Sequence, residues 1–92
     1  MTTTFTLRPA YKGQGIINLK KEHLEAVGEH MSEIQIYLGD AEEPITGKLY
    51  TKNPHVPRLS GGRELVRWFQ NFQFGQVLKV TIINPSTFRV HP

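Results

Sequence analysis

The chain has 92 residues, 38% of them hydrophobic and 21% charged, with five Phe, three Tyr and one Trp, which fits one folded domain over residues 1–92 and excludes two separate cores. It has no cysteine, which excludes disulfides, thiolate nucleophiles and cysteine-ligated zinc, and no apolar run approaches the roughly 20 residues that cross a bilayer, so a cytoplasmic protein is expected. Net charge is +3, but residues 1–46 carry four basic residues against seven acids (−3) and residues 47–92 carry seven against Glu64 alone (+6), a one-signed segment expected to face a polyanion.

In chain order, Phe5 and Leu7 alternate with Thr4, Thr6 and Arg8, which predicts a half-buried strand stopping at Pro9. Residues 10–15 contain Gly13 and Gly15 and read as an exposed turn or arm. Ile16, Ile17 and Leu19 then re-enter the core in a second short strand ending near Asn18. Asn18 is placed to cap a short helix over residues 20–27, with Gly28 where a left-handed C-cap is expected. Residues 33–38 alternate apolar and polar, Gly39 and Asp40 supply a turn, and residues 45–52 resume extended structure. Residues 53–62 hold Pro54, Pro57, Gly61 and Gly62 and predict a projecting loop. Leu65, Trp68, Phe69 and Phe72 recur at i, i+3, i+4 and i+7, the buried stripe of a helix over residues 63–72. The β-branched run 77–83 and a last strand at 88–90, joined through Asn84, Pro85 and Ser86, close a hairpin.

Short strands with frequent turns and two short helices predict a mainly β fold, a small barrel or pseudobarrel whose ends the helices plug. Trp68 and its Phe neighbours share one stripe and are expected in the core, not on a base-stacking platform. Catalysis finds no candidate. Asp40 is the only aspartate, Glu42 and Glu43 flank a turn as solvated edge charges, and His23, His30, His55 and His91 lack metal-ligand spacing and read as surface residues. No metal site and no cofactor are expected. The helix start at Ser60, Gly61, Gly62 and Arg63 can hold an anion. The loop before it offers Lys52, Asn53, His55 and Arg58, and the earlier arm offers Arg8, Tyr11, Lys12 and Gln14. These residue types donate to phosphates or bond base edges, and two such arms can grip one groove.

Phe5-Thr6-Leu7, the arm, Ile17-Asn18-Leu19 before a short helix, and above all residues 62–69 followed by Phe74-Gly75-Gln76-Val77-Leu78 give this chain a further reading. Along nearly its whole length it resembles the DNA-binding pseudobarrel of plant B-three transcription-factor domains and of effector domains in some restriction endonucleases. Gln76 stands where the plant domains often carry an acid, and the chain is shorter than many of them, which favours the bacterial restriction-enzyme branch. The resemblance implies an open seven-stranded pseudobarrel whose two arms enter the major groove of double-stranded DNA. Carried over by position, the first arm is Arg8, Tyr11, Lys12 and Gln14, and the second is Lys48, Tyr50, Lys52, Asn53, His55 and Arg58 together with Arg63. Such a module reads sequence, and cleavage lies in another domain or chain. Two other classes compete. An OB-like barrel for single strands needs exposed aromatics, for which Tyr11, Tyr37 and Tyr50 are the candidates, and a protein-interaction domain would use the basic half against an acidic partner.

Overall fold

A computed structural model describes residues 1–92. Seven strands form one sheet in the order β1-β6-β7-β3-β4-β5-β2, with β1 (Thr2–Thr6), β2 (Ile16–Asn18), β3 (Glu33–Leu38), β4 (Ile45–Tyr50), β5 (Arg58–Ser60), β6 (Val77–Asn84) and β7 (Thr87–His91). All neighbours are antiparallel except β3 and β7, which run parallel. The edge strands β1 and β2 are not paired to each other. The sheet nonetheless curls until they flank one concavity, with Thr3, Thr4 and Thr6 on one side and Asn18, Leu19 and Lys20 on the other. The result is a nearly closed seven-stranded pseudobarrel with a seam.

Alternation dictates which side of each strand fills the interior. Phe5, Ile34, Ile36, Leu49, Leu59, Leu78, Val80, Phe88 and Val90 point inward with Leu65 and Phe69 of a helix, forming one core cluster. Polar neighbours such as Lys48, Arg58 and Lys79 point outward.

The helices depart from the sequence expectation in number and placement. There are three: α1 (Pro9–Gln14), a 3₁₀ helix at Lys21–Ala26, and α2 (Gly62–Phe69). The first arm is therefore not an open turn. Pro9 sits in the first turn, where its missing N–H costs nothing, and Gly15 closes the helix at φ 68° with its N–H on Tyr11 O. Gly15 is also needed sterically, because a Cβ there would lie 2.3 Å from the Gly62 carbonyl oxygen and 3.1 Å from Val66. That close approach docks α1 on α2.

Asn18 caps nothing; it ends β2. The 3₁₀ helix is capped at Lys20, whose backbone N–H donates to His23 Nδ1 at 3.2 Å, and it ends at Val27 instead of a left-handed Gly28. His23 is 5% exposed, so it is a structural residue and not the surface histidine its spacing suggested. The projecting loop is likewise shorter than expected. Residues 58–60 form β5 between β4 and β2, because their backbone groups complete the ladder on both sides.

Helix α2 ends at Phe69, and the chain continues in tighter turns in which Gln70, Asn71 and Phe72 N–H bond the carbonyls of Arg67, Trp68 and Phe69. Leu65 and Phe69 are fully buried, while Trp68 and Phe72 are partly exposed and lie 4.7 Å apart by ring centroid at the core's edge. Complete burial of Trp68 is thus corrected to half-burial. Trp68→Ala should cost about 2 kcal/mol, below the range for a fully buried aromatic. Urea unfolding of the two proteins measures this, and a loss matching that of a fully buried ring would contradict it.

Candidate nucleic-acid interface

The outer face of β2, β5 and β4 carries a cross-strand row. Asn18 and Tyr50 are the Cα partners of Arg58 on its two sides. Because Ile17, Leu59 and Leu49 turn into the core one residue away, this row must face outward. Arg58 Nε donates to Asn18 Oδ1 at 2.9 Å, which fixes the guanidinium plane and leaves both Nη groups free to donate.

This row is the floor of an open groove of about 720 Å³, lined by Gln14, Ile16, Asn18, His30, Met31, Tyr50, Lys52, Asn53, Val56, Arg58 and Ser60. The end of α1 borders the groove through Gln14, and the β4–β5 loop borders it through Lys52, Asn53 and Val56. That loop is held by bonds within it and by one to the residue after β2. Asn53 Oδ1 accepts the His55 N–H at 3.1 Å, Val56 N–H reaches Asn53 O at 3.1 Å, and Pro57 O accepts the Leu19 N–H at 2.7 Å. His30 enters from the segment before β3. Its Nδ1 accepts the Thr51 N–H at 3.0 Å, and its ring meets Tyr50 edge-on at 6.0 Å.

The seam concavity, about 320 Å³, shares Asn18 with this groove and adds Arg8, Tyr11 and Lys20. The two hollows therefore adjoin across one side chain. Of the residues singled out in the sequence, the structure gathers Gln14, Tyr50, Lys52, Asn53 and Arg58 in the main groove and Arg8 and Tyr11 beside it. His55 is exposed at the loop tip.

Lys12 and Arg63 lie elsewhere, and Lys48 stands beside the groove. Lys12 Nζ donates to Phe72 O at 2.8 Å and sits 4.9 Å from the Phe74 ring centroid, so its charge ties α1 to the segment after α2. Lys48, the Cα partner of Ser60, lines a shallow hollow with Glu33 and Thr46 that shares Tyr50 and Ser60 with the main groove, whereas Arg63 lies with Leu38, Ile45, Arg67 and Trp68. The basic half of the sequence is thus divided among several faces. Arg89 is also occupied, stacked 4.7 Å from the Tyr37 ring and hydrogen-bonded to Gly39 O.

Asn18 and His30 were not singled out in the sequence as ligand contacts. Their places in the groove depend on neighbours forty and twenty-one residues away, Arg58 and Thr51, and no local pattern signals such pairs. No group of three or more His, Asp or Glu side chains is arranged to hold a metal.

No protein-family model matches the chain, and a search of curated proteins finds no match. Among solved structures, the N-terminal domain of Helicobacter pylori LlaJI.R1 is similar with a TM-score of 0.67 at 13% identity, covering 98% of this chain and 84% of that one. The Arabidopsis FUS3–DNA complex is similar with a TM-score of 0.64 at 16% identity, covering 98% of this chain and 95% of that one. At such identities the likeness is one of architecture alone, and that architecture is the seven-stranded pseudobarrel that the sequence resemblance implied.

Proposed function

We propose that this chain binds double-stranded DNA in a sequence-dependent way, with the groove floored by Asn18, Arg58 and Tyr50 against the duplex major groove. The observation that carries the reading is the Arg58 fork, held by Asn18 at 2.9 Å on an exposed concave face. A pre-oriented guanidinium with two free Nη donors is suited to guanine O6 and N7. Lys52, exposed on the groove's border, is suited to phosphate, which positions the duplex without reading it. The likeness in fold to a protein whose structure is a DNA complex supports the same reading.

Within this reading the chain is the target-recognition domain of a restriction endonuclease, and cleavage belongs to a separate domain or chain. That assignment rests on the sequence resemblance, including Gln76, which is exposed at the entry to β6. Arrangement of the tyrosines favours a duplex over a single strand. Tyr37 is covered by Arg89 and Tyr11 packs toward Phe5 at 6.2 Å, so only Tyr50 stands in the main groove, and a run of stacking rings is not assembled.

Selection of bound duplexes from a random-sequence library, with single-stranded oligonucleotides as competitors, tests the proposal. Enrichment of one short site with little effect of the single strands is the expected result; equal competition by single strands would contradict it. Lys52→Ala should weaken all duplexes about equally and lower the slope of log affinity against log salt by about one. Titrations at several salt concentrations provide that slope, and a change in base preference would assign Lys52 a reading role instead.

A further inference from the structure

Of the four histidines, His30 combines a place in the groove with a fixed tautomer. His23 is buried, its Nδ1 bonded to the Lys20 N–H and its Nε2 3.9 Å from Glu22. His30 instead is exposed on the groove wall and spends only Nδ1 within the chain, on the Thr51 N–H at 3.0 Å. An imidazole that accepts at Nδ1 carries its proton at Nε2 when neutral. This groove-lining ring therefore keeps an Nε2–H donor that no group of the chain accepts.

The ring is also held in place. Met31, the next residue, has φ 69°, a left-handed conformation uncommon for a residue with a side chain. Its N–H bonds Leu49 O at 2.7 Å, and Leu49 N–H bonds Ser32 O at 3.0 Å, so the backbone immediately after His30 is fastened to β4. Tyr50 supports the ring edge-on. Neither of the two arms contains His30; it comes from the segment between the 3₁₀ helix and β3.

We infer that His30 is a ligand contact of the groove, donating its Nε2–H to a phosphate oxygen of the bound duplex. This rests on the duplex-binding reading. Phosphate is the chemistry favoured because the residue that His30 fastens, Thr51, is followed by Lys52, an exposed ammonium on the same border. The histidine donor and the lysine charge thus serve one stretch of backbone, while Arg58 occupies the floor.

Two variants separate contact from scaffolding. In His30→Asn the amide oxygen can take the place of Nδ1 as acceptor for Thr51, but the Nε2–H is gone; in His30→Ala both are gone. Affinity is measured for wild type, both variants and Arg58→Ala on the selected duplex and on a scrambled one, with thermal melting as the check on folding. The expected result is that His30→Asn melts like wild type, binds both duplexes roughly 3–10-fold more weakly, and keeps its base preference. Nitrogen-15 NMR of the wild type should show the Nε2–H tautomer, with the Nε2 signal moving when duplex is added. Wild-type affinity in His30→Asn, with only His30→Ala impaired, would overturn the inference and make His30 a support for Thr51. A change in base preference would overturn the phosphate assignment. Failure of the wild type to bind any duplex would overturn the underlying reading as well, whereas normal wild-type binding that depends on Arg58 but not on His30 overturns this inference alone.

Discussion

Arg58→Ala is expected to cost about 1–3 kcal/mol of affinity for the preferred duplex and to flatten discrimination at one or two base pairs. The residue lies on β5, not on a mobile loop, and is paired on both sides by β2 and β4. Its side chain is anchored through Nε to Asn18, so little conformational freedom is lost when the Nη fork meets a base. Arg58→Lys keeps the charge but not the fork, and should retain the salt dependence while losing most of the discrimination. Neither change removes core packing, since Arg58 is exposed, and melting should stay close to wild type. Titrations on preferred and scrambled duplexes decide the matter. An equal loss on both would show that Arg58 meets phosphate and reads nothing.

Phe69→Ala should be the most damaging single change to stability, at about 3–5 kcal/mol. The ring is 0% exposed, meets Phe5 in a T-shaped contact at 6.2 Å, and lies 5.9 Å from Trp68. Removing it leaves a cavity between α2 and the sheet that rigid strands cannot collapse to fill. For a domain of 92 residues, total stability on the order of 5–14 kcal/mol makes this a large fraction. Binding should weaken along with folding, because α2 holds α1 through Gly15 and Gly62, and α1 carries Gln14 to the groove. Urea unfolding gives the number. A cost no greater than that of Trp68→Ala would show that the interior is centred elsewhere.

The strands were legible where alternation is strong: residues 33–38 form β3 with the bounds that their pattern predicts. Strand β5 was not, because three residues between Pro57 and Gly61 carry too little pattern, and their extended conformation is imposed by ladder partners on both flanks. Helix α1 had readable ends, Pro9 and Gly15, but six residues with an internal Gly13 are too few to hold a helix without support. Its packing on α2 supplies what local propensity lacks. The groove was legible in part for a related reason. Lys52, Asn53 and Arg58 share one stretch of chain and Gln14 one arm, so composition points to them. Asn18 and His30 join only through the fold, and Lys12 has the chemistry of a contact yet lines neither hollow and donates to Phe72 O.

Because the seam leaves β1 unpaired to β2, β1 has one partner strand, and that strand lies far along the chain. Strand β1 finds its partner in β6, with Thr2 and Thr81 hydroxyls 2.9 Å apart across 79 residues of chain, and β3 pairs with the last strand, β7. Ladders between such distant segments require large loops to close before any contact rewards them, which places refolding in the millisecond-to-second class. During synthesis β1 must wait for β6, and β3 for β7, before these ladders can form. Until β6 has been synthesised, the alternating residues of β1 remain an unmatched edge, open to pairing with a strand of another chain.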